Sequence, residues 1–229
     1  MHLLRELPCK GLKPNAISYY SILHALFRSE KCGAACDLFD DMQAAGVVPN
    51  IPTYCILLDG LCKNGYLAEA LSVVSMLNSN GIYLDIAVYT TIIDGLCKDR
   101  KLESARDIFD NLSSKGLMTN VITYNTMMNG LCQGGLLDKA NELLVKMEEN
   151  GCKPDDVTYN TIVKGFLKRE RYREAMTLLE EMRARGFSAD ISTSEIVVDL
   201  LLAKSQDPAQ LEMIKRILPT SKYGVENTK

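Results

Sequence analysis

The chain has 229 residues, of which 47% are hydrophobic and 24% are charged, with 7 Pro and 15 Gly. This composition is typical of a protein with a packed core, and it excludes disordered and collagen-like chains. The formal net charge of −3 indicates no bulk attraction to nucleic acid. The sequence contains no run of about 18 apolar residues, the length that a membrane-spanning helix needs, so we expect no membrane insertion.

The N-terminal residues carry no visible targeting signal. Residues 1–8 lack the apolar region of a secretory signal and the Arg- and Ser-rich, acid-poor character of a transit peptide. We therefore expect either a chain without a targeting peptide or one whose natural N-terminus is missing. Without a secretory leader, the 8 Cys are expected to be reduced thiols.

A period of 35 residues dominates the chain. It divides residues 16–190 into five repeats without insertions, at 16–50, 51–85, 86–120, 121–155 and 156–190. The recurring residues are Tyr19, Tyr54, Tyr89, Tyr124 and Tyr159; Ala35, Ala70, Ala105, Ala140 and Ala175; and Gly46, Gly81, Gly116, Gly151 and Gly186. Residues 1–15 match only the second half of a repeat, with Gly11 and Pro14 in register, so the N-terminus looks truncated.

Each repeat is predicted to be a pair of helices, A and B. In repeat 4, residues at helical spacing predict helix A, and Gly134-Gly135 ends it. Residues 138–149 predict helix B, Gly151 suits a left-handed C-terminal position, and Pro154 prevents continuation. The spaced residues are Ile122, Asn125, Met127, Met128, Leu131 and Cys132 on helix A, and Leu143, Leu144 and Met147 on helix B.

Small residues recur on both helices and predict close helix packing. We expect the repeated Ala of helix B to let the two helices of one repeat approach each other. We expect the repeated Gly of helix A to do the same. These glycines are Gly60, Gly95, Gly130 and Gly165.

Residues 191–229 are predicted to close the array. Residues 191–204 match a helix A in which Ser194 replaces the Tyr, and residues 207–218 predict a final helix with Asp207 as its N-cap. A single helix pair cannot bury its own apolar stripe, but stacked neighbours can. The predicted fold is therefore all-α, a solenoid of helix-turn-helix repeats.

The repeat signature identifies a family. A period of 34 would suggest tetratricopeptide repeats, whereas the period here is 35. Residues 121–132, with the sequence VITYNTMMNGLC, closely resemble the pentatricopeptide repeat (PPR) family, and residues 88–98 and 156–161 carry the same signature. The Asp-Gly-Leu-Cys-Lys form resembles the P class, and within it the restorer-of-fertility-like group of plant organelle proteins. The resemblance implies a right-handed superhelix.

The resemblance also implies sequence-specific binding of single-stranded RNA, one base per repeat. In the family, the second residue of a repeat sandwiches the base, and the fifth and last residues touch its Watson–Crick edge. The implied sandwiching residues are Ile17, Pro52, Ala87, Ile122 and Val157. The implied reading pairs are Tyr20/Asn50, Cys55/Asp85, Thr90/Asn120, Asn125/Asp155 and Asn160/Asp190. Pro52 and Ala87 are poorly suited to packing against a base, so repeats 2 and 3 are expected to bind their bases more weakly.

The reading pairs predict a partial footprint. A last-position Asp only accepts hydrogen bonds and so favours U or G, whereas Asn can donate and favours A or C. The family pattern pairs a fifth-position Asn with pyrimidines and Thr with purines. Repeat 3 is then expected to read A and repeats 4 and 5 to read U. Because the pairs of repeats 1 and 2 fall outside the pattern, the predicted footprint is 5′-NNAUU-3′.

A basic ridge is predicted at the thirteenth position of the repeats. Four of the five residues there are basic, and one recurring position lines one side of a solenoid. The residues are Arg28, Lys63, Lys98 and Lys168, with Gln133 in repeat 4. They are predicted phosphate contacts, although a basic residue at this position could instead complement the dipole of helix A.

Ordinary structural roles compete with several of these assignments. Asn125 and Asn160 could be polar first-turn residues, and Asp155 and Asp190 could be helix N-caps. The repeated Cys62, Cys97 and Cys132 are expected to pack in the core, and Cys32 and Cys36 lack the further ligands of a zinc site. We expect no metal and no cofactor.

The expected function is RNA binding without catalysis. The H-x-E and P-C-x-x-C signature of deaminases, a phosphate loop and a nucleophile elbow are all absent from the sequence. We expect an organelle transcript as partner, possible protein partners that supply catalysis, and no small-molecule substrate. The resemblance implies the mitochondrion, with the chloroplast as alternative. A protein-binding helical scaffold and a non-functional truncated paralogue remain the alternative functions.

Overall fold

The structure is a computed structural model, and it describes residues 14–203. These residues form eleven α-helices and one short 3₁₀ helix, without a strand in this range. Most of the predicted partial repeat 1–15, and the predicted last helix 207–218, lie outside the described residues. The α-helices are α1 (Ala16–Arg28), α2 (Cys32–Ala44), α3 (Ile51–Lys63), α4 (Leu67–Ser79), α5 (Ile86–Lys98), α6 (Leu102–Asp110), α7 (Val121–Gln133), α8 (Leu137–Glu149), α9 (Asp156–Lys168), α10 (Tyr172–Ala184) and α11 (Ile191–Ala203).

Every helix A begins at an Asn or Asp side chain. The residue before each helix has extended backbone, and its side-chain oxygen accepts a hydrogen bond from the third backbone N–H of the helix. These N-caps are Asn15, Asn50, Asp85, Asn120 and Asp155, and Asp190 makes the same bond to Thr193 N at 2.7 Å. The last residue of each repeat is therefore the N-cap of the next helix A.

Left-handed residues end the helices. Gly151 has φ 73°, and the N–H of Cys152 donates to Met147 O at 3.0 Å, which closes the end of α8 as predicted. The turn between helices A and B needs a second left-handed residue, which is Gly135 in repeat 4 but Glu170 in repeat 5. In repeat 3, helix B is shorter than the others. Asn111 donates there to Asp107 O from both its backbone N, at 3.2 Å, and its Nδ2, at 2.7 Å, and a 3₁₀ turn (Ser113–Lys115) follows.

The chain forms two compact units, residues up to Thr119 and residues from Asn120. In the first unit, α3 packs against α1 and α5, which are the A helices of the neighbouring repeats, and each helix A also packs on its own helix B. In the second unit, α9 packs in the same way against α7 and α11, and α7 and α9 each pack on their own helix B. This pattern confirms the predicted all-α repeat solenoid.

The repeated Tyr and Ala residues form the core, as the period indicates. All five tyrosines at the fourth position are buried, as are all five alanines of helix B, which have no exposed surface. Tyr124 keeps its hydroxyl satisfied by accepting from Asn150 Nδ2 at 2.8 Å, and Tyr159 donates to Glu181 at 2.8 Å. Both bonds join helix A to the C-terminal half of helix B or its cap, so the core tyrosines tie the two helices together.

The repeated glycines of helix A have a different role from the predicted one. A Cβ on Gly165 would lie 2.6 Å from Cys132 Sγ of α7, and a Cβ on Gly95 would lie 2.8 Å from Cys62 Sγ of α3. Gly60 would meet the ring of Phe27 in α1. Each glycine thus admits a side chain from the preceding helix A, whereas we expected it to face its own helix B.

In repeat 4, Ile122 is the exposed member of the spaced set on helix A, because the buried face begins with Thr123 and Tyr124. Helix B begins at Leu137, one residue earlier than predicted.

Candidate nucleic-acid interface

One stripe of helix A carries most of the predicted site. The second, fifth, ninth and thirteenth residues of a repeat are three or four residues apart, so they share one face of the helix. In α7 this stripe comprises Ile122, Asn125, Asn129 and Gln133, all exposed or half-buried. The face opposite carries the core residues, so the stripe is the open side of helix A.

The predicted sandwiching residues all lie on this open side. The Ile or Val side chains at the second position are between 53% and 71% exposed, which is unusual for β-branched apolar residues. Their backbone position in the first helical turn sets them beside the fifth residue. The set comprises Ile17, Ile122 and Val157, together with the exposed Pro52 and Ala87.

In repeat 4 the structure brings the two predicted reading residues together. Asn125 Nδ2 donates to Asp155 Oδ1 at 3.2 Å. The same oxygen accepts from Thr158 N at 2.8 Å as the N-cap of α9. Among the residues that the structure describes, Asp155 Oδ2 has no hydrogen-bond donor. The pair therefore presents one unoccupied acceptor beside an amide.

The Asp155 carboxylate is held in its charged form. Burial alone raises the pKa of this carboxyl, but the hydrogen bonds from Thr158 and Asn125 outweigh it and lower the pKa below its ordinary value. At neutral pH Asp155 is thus an obligate acceptor, which is the property assigned to the last residue of a repeat.

In repeat 5 the corresponding pair is also in contact, but its groups are occupied. Asn160 Oδ1 accepts from Asp190 N at 2.9 Å and from Thr193 Oγ1 at 2.7 Å, and Asn160 Nδ2 donates to Asp156 O at 2.8 Å. The Asn160 side chain is consequently buried, at 4% exposure. Asp190 Oδ2 accepts from Lys164 Nζ at 2.6 Å.

The other three pairs are less alike. In repeat 2, burial raises the pKa of the Cys55 thiol and the nearby Asp85 carboxylate raises it further, so these two predicted residues are neighbours. In repeat 1, Tyr20 lies beside His24, with ring centroids 6.5 Å apart, and Asn50 caps α3. In repeat 3, the Thr90 hydroxyl donates to Ile86 O at 2.7 Å, and Asn120 caps α7 in the second unit.

A buried threonine, which the family pattern does not point to, supports the proposed reading pair. Thr158 Oγ1 lies 2.7 Å from Asn125 Oδ1 and 2.8 Å from Asp155 Oδ1, so it fixes both residues from the next helix A. Thr193 does the same for Asn160. The signal was a third-position Thr in most repeats, a polar residue repeated where helix A turns toward the core; the series comprises Thr53, Thr123, Thr158 and Thr193, all fully buried.

The predicted basic ridge is exposed, but part of its charge is paired. Lys63 forms an ion pair with Asp59 at 2.8 Å, and Lys98 forms one with Asp94; each Asp lies one helical turn earlier. Arg28 and Lys63 border a groove of about 330 Å³ in the first unit, together with His24 and Asp59. Lys168 is exposed at the end of α9.

Of the repeated cysteines, Cys97 and Cys132 are buried in the core and Cys62 is half-buried at its edge. Burial raises the pKa of Cys132 to about 12, and burial with nearby carboxylates raises that of Cys62 to about 12 and that of Cys97 to about 11. Within residues 14–203, no group of three or more His, Cys, Asp or Glu is placed to hold a metal ion. In the same range, no helix has the length and apolar character needed to cross a bilayer.

Comparison with known proteins gives the same architecture. PPR10 from maize is 25% identical, with a TM-score of 0.71 over 89% of this chain and 31% of that chain. PPR10 in complex with an 18-nt psaJ RNA element is 26% identical, with a TM-score of 0.66 over 89% and 33%. The PPR domain of Arabidopsis thaliana protein-only RNase P 1 in complex with tRNA shares the fold, at 18% identity and a TM-score of 0.62 over 78% and 94%.

The chain spans about a third of the length of PPR10. No curated protein matches its sequence. The model of the PPR repeat family matches residues 14–63, 57–98, 84–133, 119–168 and 154–202, which together cover most of the chain. The chain therefore belongs to the PPR repeat family.

Proposed function

We propose that this chain binds single-stranded RNA and reads one base with each repeat. The observation that carries the proposal is the geometry of repeat 4. Asn125 and Asp155 converge there at 3.2 Å on an exposed face, with the apolar Ile122 one turn away and Asp155 Oδ2 unoccupied. The similarity to PPR10, which was solved in complex with an RNA element, supports the same class of ligand.

The chemistry of the pair favours uracil at repeat 4. Uracil carries a hydrogen on its central ring nitrogen, which Asp155 Oδ2 can accept, whereas the same nitrogen of cytosine is an acceptor and would face a carboxylate. Ile122 offers an exposed apolar surface for the base to pack on. With Thr90/Asn120 reading A and Asn160/Asp190 reading a second U, the proposed footprint is 5′-NNAUU-3′.

The basic ridge is proposed to follow the phosphate backbone. Arg28, Lys63, Lys98 and Lys168 lie at the exposed C-terminal ends of the A helices, at the end of the stripe that carries the reading residues. Three informative bases are too few to select one transcript, so the chain is expected to act with additional repeats or with protein partners that supply catalysis. We propose no catalytic role for its own residues.

The proposed place and outcome of binding rest on the family resemblance. We propose that the chain acts on an organelle transcript, in processing, stabilisation or translation, as the restorer-of-fertility-like group implies. The mitochondrion is the proposed compartment, with the chloroplast as the alternative. Fractionation of the natural protein in plant cells would distinguish the two.

Substitution at the reading pair of repeat 4 tests the RNA-binding proposal. Asp155→Asn keeps an N-cap for α9 but replaces the acceptor Oδ2 with a donor, so the preferred base at that position should change from U to C. The double change Asn125→Thr with Asp155→Asn should favour A, because it reproduces Thr90/Asn120. One good base-edge contact is worth about 1–3 kcal/mol, which selection from randomised RNA followed by sequencing can resolve.

Controls separate base reading from scaffold effects. Neighbouring positions of the footprint should keep their preferences, and circular dichroism should show unchanged helix content. If the substitutions weaken binding to all four bases equally, Asn125 and Asp155 are scaffold residues and the assignment is wrong. A protein-binding scaffold of the tetratricopeptide kind would instead give capture of peptides and no enrichment of RNA sequence.

A further inference from the structure

Repeats 4 and 5 carry the same reading pair but differ at one contact. Asp155 Oδ2 has no donor among the described residues, whereas Asp190 Oδ2 accepts from Lys164 Nζ at 2.6 Å. The first carboxylate oxygen is used alike in the two repeats, since each Oδ1 caps the next helix A. The difference therefore falls on the oxygen that remains for a base.

Lys164 occupies the ninth position of its repeat, on the stripe that carries the reading residues. The equivalent residue in repeat 4 is Asn129, which lies 26 residues before Asp155, as Lys164 lies 26 residues before Asp190. The Lys164 side chain is 24% exposed and the Asp190 side chain is 47% exposed, so the ion pair is accessible on the face where the base is proposed to bind. Burial raises the pKa of Asp190, but the hydrogen bonds from Lys164 and Thr193 outweigh it and lower the pKa overall.

We propose that Lys164 is a further specificity-determining residue, which makes repeat 5 a reader of pyrimidines with little discrimination between U and C. This inference rests on the proposed RNA-binding function and deepens it. Because the Lys164 ammonium already donates to Asp190 Oδ2, that oxygen is a weaker acceptor for a second donor, and its hydrogen bond to the ring N–H of uracil is weakened. The ammonium also carries further N–H donors, which the ring nitrogen of cytosine can accept.

The buried state of Asn160 leaves this effect uncompensated. Asn160 Nδ2 donates to both Asp156 O at 2.8 Å and Ser188 O at 3.4 Å, and its Oδ1 accepts from Asp190 N and Thr193 Oγ1, so Asn160 has little capacity to restore the distinction between the two bases. Asn125 in repeat 4 is half-buried; its Oδ1 contacts Thr158 Oγ1, but its Nδ2 donates only to Asp155 Oδ1, which leaves one N–H for a base. Repeat 4 is therefore the stricter reader of the two.

A reciprocal exchange at the ninth position tests the proposal on the full chain. Lys164→Asn gives repeat 5 the residue of repeat 4, and Asn129→Lys gives repeat 4 the residue of repeat 5. The probes are synthetic single-stranded RNAs carrying the sequence AUU, with U or C at the position of repeat 4 or repeat 5. We expect Lys164→Asn to increase the U-over-C preference at repeat 5 by about twofold to fivefold, the range of an exposed ion pair. Asn129→Lys should reduce the preference at repeat 4 by a similar factor.

The expected effect of Lys164→Asn on RNA binding differs from the loss of a simple phosphate contact, although the substitution removes a positive charge. Affinity for RNA should fall while base selectivity rises, which loss of a general phosphate contact would not produce. A titration of the carboxyl groups by nuclear magnetic resonance, without RNA, should show a higher pKa for Asp190 in Lys164→Asn and an unchanged pKa for Asp155.

The outcomes separate the inference from the function it rests on. If the wild-type chain prefers U equally at both positions and the exchange changes neither preference, the base displaces Lys164 on binding and the inference is wrong. An unchanged pKa of Asp190 in Lys164→Asn would also overturn it. If no variant shows a base preference at either position, the proposed base reading itself fails, and the inference fails with it.

Discussion

The side chain of the last residue of each repeat ends in two polar atoms that can act separately. Its Oδ1 atom accepts from the first turn of the next helix A, a role that Asn and Asp fill equally well. The second atom is then an oxygen in Asp or an NH₂ group in Asn, which differ in hydrogen-bonding direction. Because capping depends only on the first atom, the second is available to distinguish bases without a cost in helix stability.

Thr158 is predicted to position the reading pair of repeat 4. Thr158→Val removes the hydroxyl that contacts both Asn125 and Asp155 but keeps the shape, and Val88 already occupies this position in repeat 3. We expect a loss of about 1 kcal/mol in the free energy of unfolding, measured by urea denaturation. The U preference at repeat 4 should also decline, because Asn125 loses its fixed orientation.

Asp155→Asn is the comparison for this variant. It keeps the Thr158 contact and changes which base is preferred, whereas Thr158→Val should reduce the preference without changing the preferred base. Unchanged stability together with unchanged base preference in Thr158→Val would contradict the positioning role.

At the scale of the element, the turn between helices A and B stores strain in some repeats. Gly65 and Gly135 occupy its left-handed position in repeats 2 and 4, but Glu170 adopts φ 60° in repeat 5. The left-handed conformation costs a residue with a Cβ about 1–2 kcal/mol, and a new glycine costs about 0.4–1 kcal/mol through the unfolded chain. We expect Glu170→Gly to raise the free energy of unfolding by about 0.5–1 kcal/mol.

Thermal and urea unfolding would measure this gain, and Gly65→Ala is the matched control. Gly65 has φ 84° and open space around a potential Cβ, so its substitution changes backbone strain without steric contact. It should destabilise the chain. A stabilising Gly65→Ala or a destabilising Glu170→Gly would show that backbone strain at the left-handed position does not determine how these substitutions change the free energy of unfolding.

Sequence periodicity predicted the elements well because helices depend on local signals. The Gly at the end of helix B and the Asn or Asp before helix A are local, and both acted as expected at Gly151 and Asp155. The partner of Gly165 was not predictable in this way. Its neighbour Cys132 lies in the preceding repeat, and only the packing of one helix A on another determines that contact.

The family pattern named two residues of repeat 4 that the structure brings into contact, but it did not predict the hydrogen bonds around the corresponding residues of repeat 5. Asn125 and Asp155 were named from the family pattern, and the structure brings them into contact. The occupied state of Asn160 and the ion pair of Lys164 with Asp190 depend on side-chain conformations within repeat 5 and on Thr193 of the helix that follows it. An identical Asn and Asp in the two repeats gave no sign that their surroundings differ.

At the scale of the whole molecule, the proposed RNA binding depends on where the basic residues lie and not on the net charge. The chain carries 26 Lys and Arg against 29 Asp and Glu, so bulk attraction to RNA is not available. Any attraction of phosphates to the proposed ridge would therefore be local, and Asp59 and Asp94 form ion pairs with two of its four basic residues. The ninth residue of a repeat thus pairs with the thirteenth in repeats 2 and 3, and with the last residue in repeat 5.

The paired lysines lead to a prediction about salt dependence. Replacing Asp59 and Asp94 with Asn frees Lys63 and Lys98 for phosphates without adding a basic residue. Each phosphate contact to a single strand contributes about −0.7 to the slope of log affinity against log salt, so two freed lysines should steepen the slope by up to about 1.4. Affinity at low salt should rise, and base preference should not change.

The charge-matched control is Asp37→Asn with Asp41→Asn on the exposed surface of helix α2, which should leave the slope nearly constant. Filter binding across a salt series would measure both variants. Equal slopes for the two would mean that Lys63 and Lys98 complement the helix dipole and do not contact the RNA backbone.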